Sequence, residues 1–186
     1  MPDDSEAAGE YITPEQFAKV LAALPDGKGR GGKGTKDGPK SETNLQPFFN
    51  FRYATGCRLG AARKILWNNV KEANGVMIIE IAAGKTKTKR PLMLPLAVPI
   101  LEPIAKDLKK RFRVSDQPAF ESTNFRREWG MRQSRHRNVG AKKLTRTGVR
   151  IHDCRASAAI NLLAAGVDEG LVLKIGGWKT RAMLDR

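Results

Sequence analysis

The chain has 186 residues, 34 Lys and Arg against 19 Asp and Glu for a formal net charge of +15, and 40% hydrophobic residues. Wholesale disorder is excluded by that apolar content, the length suits one domain better than two, and the charge excess points to a polyanion partner. A run of about 18 apolar residues that could span a bilayer is missing, and so are the basic and apolar parts of a signal peptide, so the expectation is a soluble, cytoplasmic protein with no membrane partner.

The chain begins acidic. Residues 1–26 carry a net charge of −5, so residues 27–186, with 33 basic against 13 acidic residues, carry +20. Thr13-Pro14-Glu15-Gln16 reads as an N-cap, a helix-favouring Pro and a Gln three residues after the cap. Phe17, Val20, Leu21 and Leu24 follow at helical spacing, which predicts a helix over about 14–24. Asp26 to Asn44 holds six glycines and almost nothing apolar, and 27–40 is net +4, so this is a loop. Its Gly27-x-x-x-x-Gly32-Lys33 looks like the start of a phosphate loop. Gly34 stands at the Ser/Thr position and no hydrophobic strand precedes it, so no nucleotide is expected there.

Leu45 to Ala54, with Phe48, Phe49, Phe51 and Tyr53, predicts a buried helix ending near Gly56, and Ala61 to Trp67 suits another. Val76 to Ile81 reads as a strand and Arg90 to Leu96 as a second, with Lys85, Lys87 and Lys89 in the lysine-rich turn region between them. Ile100, Leu101, Ile104, Leu108 and Phe112 mark a further amphipathic helix, and residues near 122–133 suit one more. The stretch 126–150 holds nine basic residues, Arg135, Arg137, Lys142 and Lys143 among them, against Glu128 alone. Ile151 to Ala165 predicts a helix closed by Gly166, and Asp168 caps a short one bearing Leu171, Val172 and Ile175. The fold class is mainly α (α+β) with one small antiparallel β-sheet. Cys57 and Cys154 are too few for a disulfide framework and lack the spacing of a zinc site, so both are expected to be reduced thiols.

Three features bear chemistry. His152 and Arg155 are three residues apart in the first turn of a helix, whose free N–H groups favour an anion. Arg58 follows Gly56 at a junction between helices, where a tight bend can aim the side chain into a cleft. The hairpin lysines are the third. Taken singly, each also fits an ordinary solvated surface or, for the lysines, a protected sheet edge.

Order and spacing change that balance. Ala54-Thr55-Gly56-Cys57-Arg58-Leu59-Gly60 comes first, followed by the Lys-bearing hairpin ending at Leu94-Pro95-Leu96. His152-x-x-Arg155 is next, with Leu162 to Val167 downstream, and Gly176-Gly177-Trp178-Lys179-Thr180 comes last. The succession resembles the tyrosine recombinase, or phage integrase, family over about residues 13–186. The resemblance implies that family's catalytic-domain fold at 13–186 behind an acidic extension at 1–12. It also implies strand cleavage and rejoining of double-stranded DNA through a 3′-phosphotyrosyl intermediate, used for site-specific recombination such as DNA integration. The implied residue roles follow the same match. Arg58 and Arg155 hold the nonbridging phosphate oxygens, a task suited to planar guanidinium forks, and His152 bonds the same phosphate. Trp178 fills a position that is His or Trp in relatives and can donate but not act as a base. Lys87 matches the general acid for the departing 5′-oxygen. Lys85 and Lys89, with Arg135, Arg137, Lys142 and Lys143, are expected DNA-backbone contacts. No metal, nucleotide or other cofactor is implied, and relatives act as homotetramers on DNA, which would make the protein nucleoid-associated when bound.

The sequence departs from the family pattern in two places. By the family's spacing the attacking tyrosine falls one residue beyond Arg186, so the expectation is that these 186 residues bind DNA without cleaving it. Tyr11 and Tyr53 are poor substitutes. The position three after Arg58, usually acidic in relatives, is Ala61. The alternatives are a noncatalytic DNA-binding or regulatory remnant of an integrase, and a small basic RNA-binding protein of ribosomal type. The ordered set of Arg58, Lys87, His152, Arg155 and Trp178 argues against the last.

Overall fold

Thr13 starts the first helix as its spacing requires. Its hydroxyl accepts the Gln16 amide at 3.2 Å while the Gln16 side chain accepts the Thr13 amide at 3.0 Å, a closed capping box ahead of α1, Pro14–Ala23. The structure, a computed structural model, describes residues 10–24, 44–83, 91–126, 129, 150–178 and 180–181. The Gly/Lys-rich loop, the lysine-rich turn of the hairpin and most of the basic stretch at 126–150 lie outside those residues.

The aromatic run forms α2, Gln46–Thr55, which ends at Gly56 in the left-handed conformation with φ +66°. Phe48, Phe49 and Phe51 are fully buried. Phe49 stacks on Trp129 with centroids 4.5 Å apart, and Phe51 stacks on Phe120 at 4.7 Å. Such rings bury more area than any aliphatic residue, which makes α2 the central helix of the core. It packs most extensively against α5, Asp153–Ala164.

The expected helix at 61–67 is instead a four-residue helix, α3 (Leu59–Ala62), followed by a 3-10 turn at Trp67–Asn69. Tertiary pairing overrides local propensity here. The Ala119 amide donates to Ile65 O at 2.9 Å and the Trp67 amide to Gln117 O at 3.0 Å, bonds that flank a bridge of Leu66 to Pro118 and hold 65–66 extended ahead of the 3-10 turn. They also sink Ile65 and Trp67 into the core.

Among the described residues the sheet has three antiparallel strands in the order β1 (Val70–Ala73), β2 (Val76–Ile81), β3 (Leu92–Pro95). β2 and β3 fall at the two expected strands, and β1 was not expected. The missed signal was Asn74-Gly75, which turns β1 into β2 with φ of +52° and +76°, the pairing a two-residue hairpin demands. β2 alternates, with Met77, Ile79 and Ile81 turned into the core. α4, Glu102–Arg111, follows a 3-10 turn at Pro99–Leu101 and buries Leu108. Near 122–133, Phe125, Arg126 and Trp129 are helical, and the rest of that expected helix lies mostly outside the described residues.

α5 is followed by Gly166 at φ +75°, and α6, Glu169–Gly176, opens with the Asp168 carboxylate accepting the Leu171 amide at 3.1 Å. At its far end Gly177 turns left-handed and the Trp178 amide donates to Leu173 O at 2.9 Å, a Schellman closure. Residues 10–12 lie along α5. The Ile12 amide donates to Ser157 Oγ at 2.8 Å, the Tyr11 hydroxyl to Asn161 at 2.9 Å and the Glu10 amide to Asp153 Oδ1 at 3.3 Å. No helix among the described residues is long and apolar enough to cross a membrane.

Candidate active site

Three turns meet at one place in this fold. The first joins α2 to α3, where Gly56 reverses the chain and leaves Arg58 at the N-cap of α3. Arg58 Nη1 donates to Gly177 O at 2.7 Å. The second is the start of α5, where His152 is the N-cap and exposed, and Arg155, one turn in, is only 9% exposed. Arg155 Nη1 donates to Gly56 O and to Gly176 O. The third is the end of α6, whose last carbonyls receive both arginines. A helix C-terminus carries partial negative charge, so two guanidiniums can settle side by side on Gly176 and Gly177 despite their mutual repulsion.

Trp178 covers this junction. The Arg155 guanidinium lies 4.1 Å from the indole centroid, a cation–π contact. The ring sits in a slot made by two glycines. A Cβ at Gly56 would come within 2.7 Å of the indole Cη2, and one at Gly176 would collide with the same ring. Both positions therefore need glycine for Trp178 to lie where it does, and Gly56 needs it also for its positive φ.

The neighbouring ionisable groups sort into holders and bystanders. Asp153 is fully buried, and its carboxylate accepts the Arg150 amide at 2.6 Å and Arg150 Nε at 3.2 Å, fixing the first turn of α5. Burial pushes the thiols of Cys57 and Cys154 up to about 11, against the pull of Arg155, Arg52 and Arg58 on the first and of Arg52 on the second. Both cysteines are free and stay protonated at neutral pH, so neither is a nucleophile. Tyr53 stacks on Phe17 with centroids 3.8 Å apart, and its hydroxyl donates to Ile12 O at 2.8 Å. Burial raises its pKa, so this tyrosine is a packing residue. Among the described residues no group of three His, Cys, Asp or Glu is placed to hold a metal ion.

Of the residues expected from sequence, Arg58, Arg155 and Trp178 are brought into contact with one another's turns, and His152 opens the helix that carries Arg155. Lys85, Lys87 and Lys89, and Arg135, Arg137, Lys142 and Lys143, lie outside the described residues. Ala61 is buried at 7% exposure, so no acidic side chain braces Arg58 from that position. Arg52, a third arginine beside this site, had no sequence signal beyond its place among aromatic residues.

A mainly helical domain with a small antiparallel sheet, built around these helix ends, is the tyrosine recombinase catalytic-domain fold. The model of the phage integrase family matches residues 10–186, and the chain belongs to that family. Its fold is similar to XerH site-specific recombinase bound to its difH substrate, at 17% identity and a TM-score of 0.58 over 94% of this chain and 49% of that one. It is also similar to the Tn1549 transposon integrase in complex with circular intermediate DNA, at 14% identity and a TM-score of 0.57, covering 99% of this chain and 62% of that one. A lambda integrase tetramer bound to a Holliday junction gives 18% identity and a TM-score of 0.54, covering 98% of this chain and 50% of that one. The chain thus spans about half to under two thirds of the length of these structures. No curated protein matches it in sequence.

Proposed function

We propose that this domain binds duplex DNA and serves site-specific recombination, with one phosphodiester held by Arg58, His152, Arg155 and Trp178. The observation that carries the reading is the docking of Arg58 and Arg155 on consecutive carbonyls, Gly177 and Gly176, at the end of one helix. Two forks held there present fixed positive charge where a phosphorane would develop negative charge, and preorganised donors of this kind need little rearrangement in the reaction. Among the described residues Arg58 has no acidic partner to neutralise it.

In the reaction, a tyrosine hydroxyl passes its proton to the His152 imidazole as its oxygen attacks the phosphorus, and the bond from phosphorus to the 5′-oxygen breaks. The departing oxygen takes its proton from the Lys87 ammonium, and the energy of the phosphodiester is kept in the tyrosyl ester for rejoining. The 186 residues supply the holding groups, and the tyrosine is the residue that family spacing puts after Arg186. Alone they bind DNA without cutting it; four copies assemble on DNA in the working enzyme.

The test begins with selection of bound duplexes from a randomised pool. The selected site is then rebuilt as a nicked suicide substrate and offered to the 186 residues and to the chain extended by the residues that follow in its gene. Binding by both and a covalent protein–DNA adduct only with the extended chain is the expected result. Binding without an adduct in the extended chain replaces this reading with a noncatalytic DNA-binding role, and absence of duplex binding removes both.

A further inference from the structure

Arg52 is the most deeply buried cation among the described residues, at 1% exposure, on the face of α2 turned towards α5. Its Nε donates to Cys57 O at 3.4 Å and its Nη1 to Ile151 O at 3.1 Å. No acidic side chain pairs with it among the described residues. A guanidinium removed from water and given only carbonyls is expensive to keep, and burial lowers its pKa accordingly. A methionine of similar length would fill the same space among the buried side chains of α2 without that cost.

The two carbonyls it touches explain what the charge accomplishes. Cys57 immediately precedes Arg58, and Ile151 immediately precedes His152. These two turns are far apart in sequence, and one rigid, planar side chain bonds to both. Arg155 ties the first turn to the end of α6 through Gly56 O and Gly176 O. Arg52 ties the same turn to the start of α5 on the other side.

We propose that Arg52 is a positioning residue that sets the separation of Arg58 and His152, and so the fit of the pair around the phosphate. It touches no reacting atom. The proposal rests on the reading that Arg58 and His152 hold the scissile phosphate. Displacement of a positioned group by about 1 Å costs on the order of 10²-fold in rate, which is the scale of effect expected.

The test uses the extended chain on the nicked suicide substrate, with thermal unfolding, DNA affinity and single-turnover cleavage measured for each variant. Arg52→Met is expected to melt no lower than wild type, to bind DNA within about threefold, and to cleave roughly 30- to 100-fold more slowly. Combined with Arg58→Ala, it is expected to lose less than the product of the two single losses, because it acts through the same turn. A folded Arg52→Met chain that cleaves within threefold of wild type overturns the proposal, as does a fully multiplicative double variant. Should Arg52→Met not fold, Arg52→Lys decides. It keeps the charge, but its point donor does not reproduce the two-carbonyl fork, so cleavage reduced at least tenfold at unchanged DNA affinity upholds the bridge and wild-type cleavage overturns it. If wild type itself forms no adduct, the phosphate-holding reading has failed and Arg52 has nothing to position. A wild type that cleaves with an indifferent Arg52 separates the two failures.

Discussion

The arginines at the helix ends and the cations on the sheet and α4 handle their charge in opposite ways. On the sheet and α4 several cations have a carboxylate: Lys71 pairs with Glu80 at 2.5 Å, Lys109 with Glu72 at 2.8 Å and Arg111 with Asp107 at 2.6 Å. At the helix ends Arg52 and Arg58 are held by backbone carbonyls, and Arg155 bonds to two others, Gly56 O and Gly176 O. A carboxylate cancels a charge, whereas a carbonyl orients a guanidinium and leaves its full charge in place. The outer pairs are therefore a matter of small increments in stability, and the inner set keeps a field ready for an anion.

The largest effect that could break this contrast is on chemistry. Arg155→Ala is expected to lower single-turnover cleavage by roughly 10²–10³-fold, as for loss of a preorganised oxyanion donor. DNA affinity should change far less, since phosphate contacts elsewhere on a chain of net charge +15 supply most of it. Equal losses in binding and cleavage would make Arg155 an ordinary backbone contact.

Next is the alkaline limb of stability. Cys57 and Cys154 lie against the inner arginines with thiols raised from an ordinary value near 9 to about 11. Below about pH 9 both thiols are protonated whether the chain is folded or not, and stability is intact. Between about 9 and 11 the unfolded chain gives up its protons first, so stability falls, by about 2–3 kcal/mol per thiol when the limb is complete. Urea unfolding between pH 8 and 10.5 should show that slope, and Cys57→Ala with Cys154→Ala should flatten it; an unchanged slope would assign the loss to other groups.

Gly176→Ala is the next smaller test. The added methyl collides with the Trp178 ring, and overpacking of this kind costs about 1–3 kcal/mol. The melting temperature should drop and the tryptophan emission should shift. Trp178→Ala in the same chain should recover most of the loss; no recovery would mean that the strain is in the backbone. Smallest of all, Glu80→Ala removes the partner of Lys71 on the exposed sheet face and is expected to cost under about 1 kcal/mol, less in high salt. A larger loss would show that the outer pairs act as a network.

Much of this arrangement was legible in the sequence where local chemistry and tertiary context agree. Thr13 and Gln16 closed the expected capping box, Gly56 and Gly166 stopped the expected helices, and Asp168 capped the short one. β1 escaped because three of its four residues are exposed and it buries Val70 alone, so only Asn74-Gly75 announced it. The segment 61–67 reads as a helix until the chain at 115–119 pairs with it. The motif spacing placed Arg58, Arg155 and Trp178 in one neighbourhood. Arg52 was silent for a different reason: an arginine in an amphipathic helix normally faces water, and only the packing of α5 on α2 turns this one inward.

The strand of contacts from residues 10–12 to α5 has a mechanical consequence. Glu10 is bonded to Asp153, the residue after His152, and Ile12 to Ser157 one turn further along. Tension arriving along the chain from upstream is delivered to the first turn of α5 before it reaches α1. Residues 10–12 and the turn that follows His152 form one hydrogen-bonded unit, although Glu10 and Asp153 are 143 positions apart in sequence.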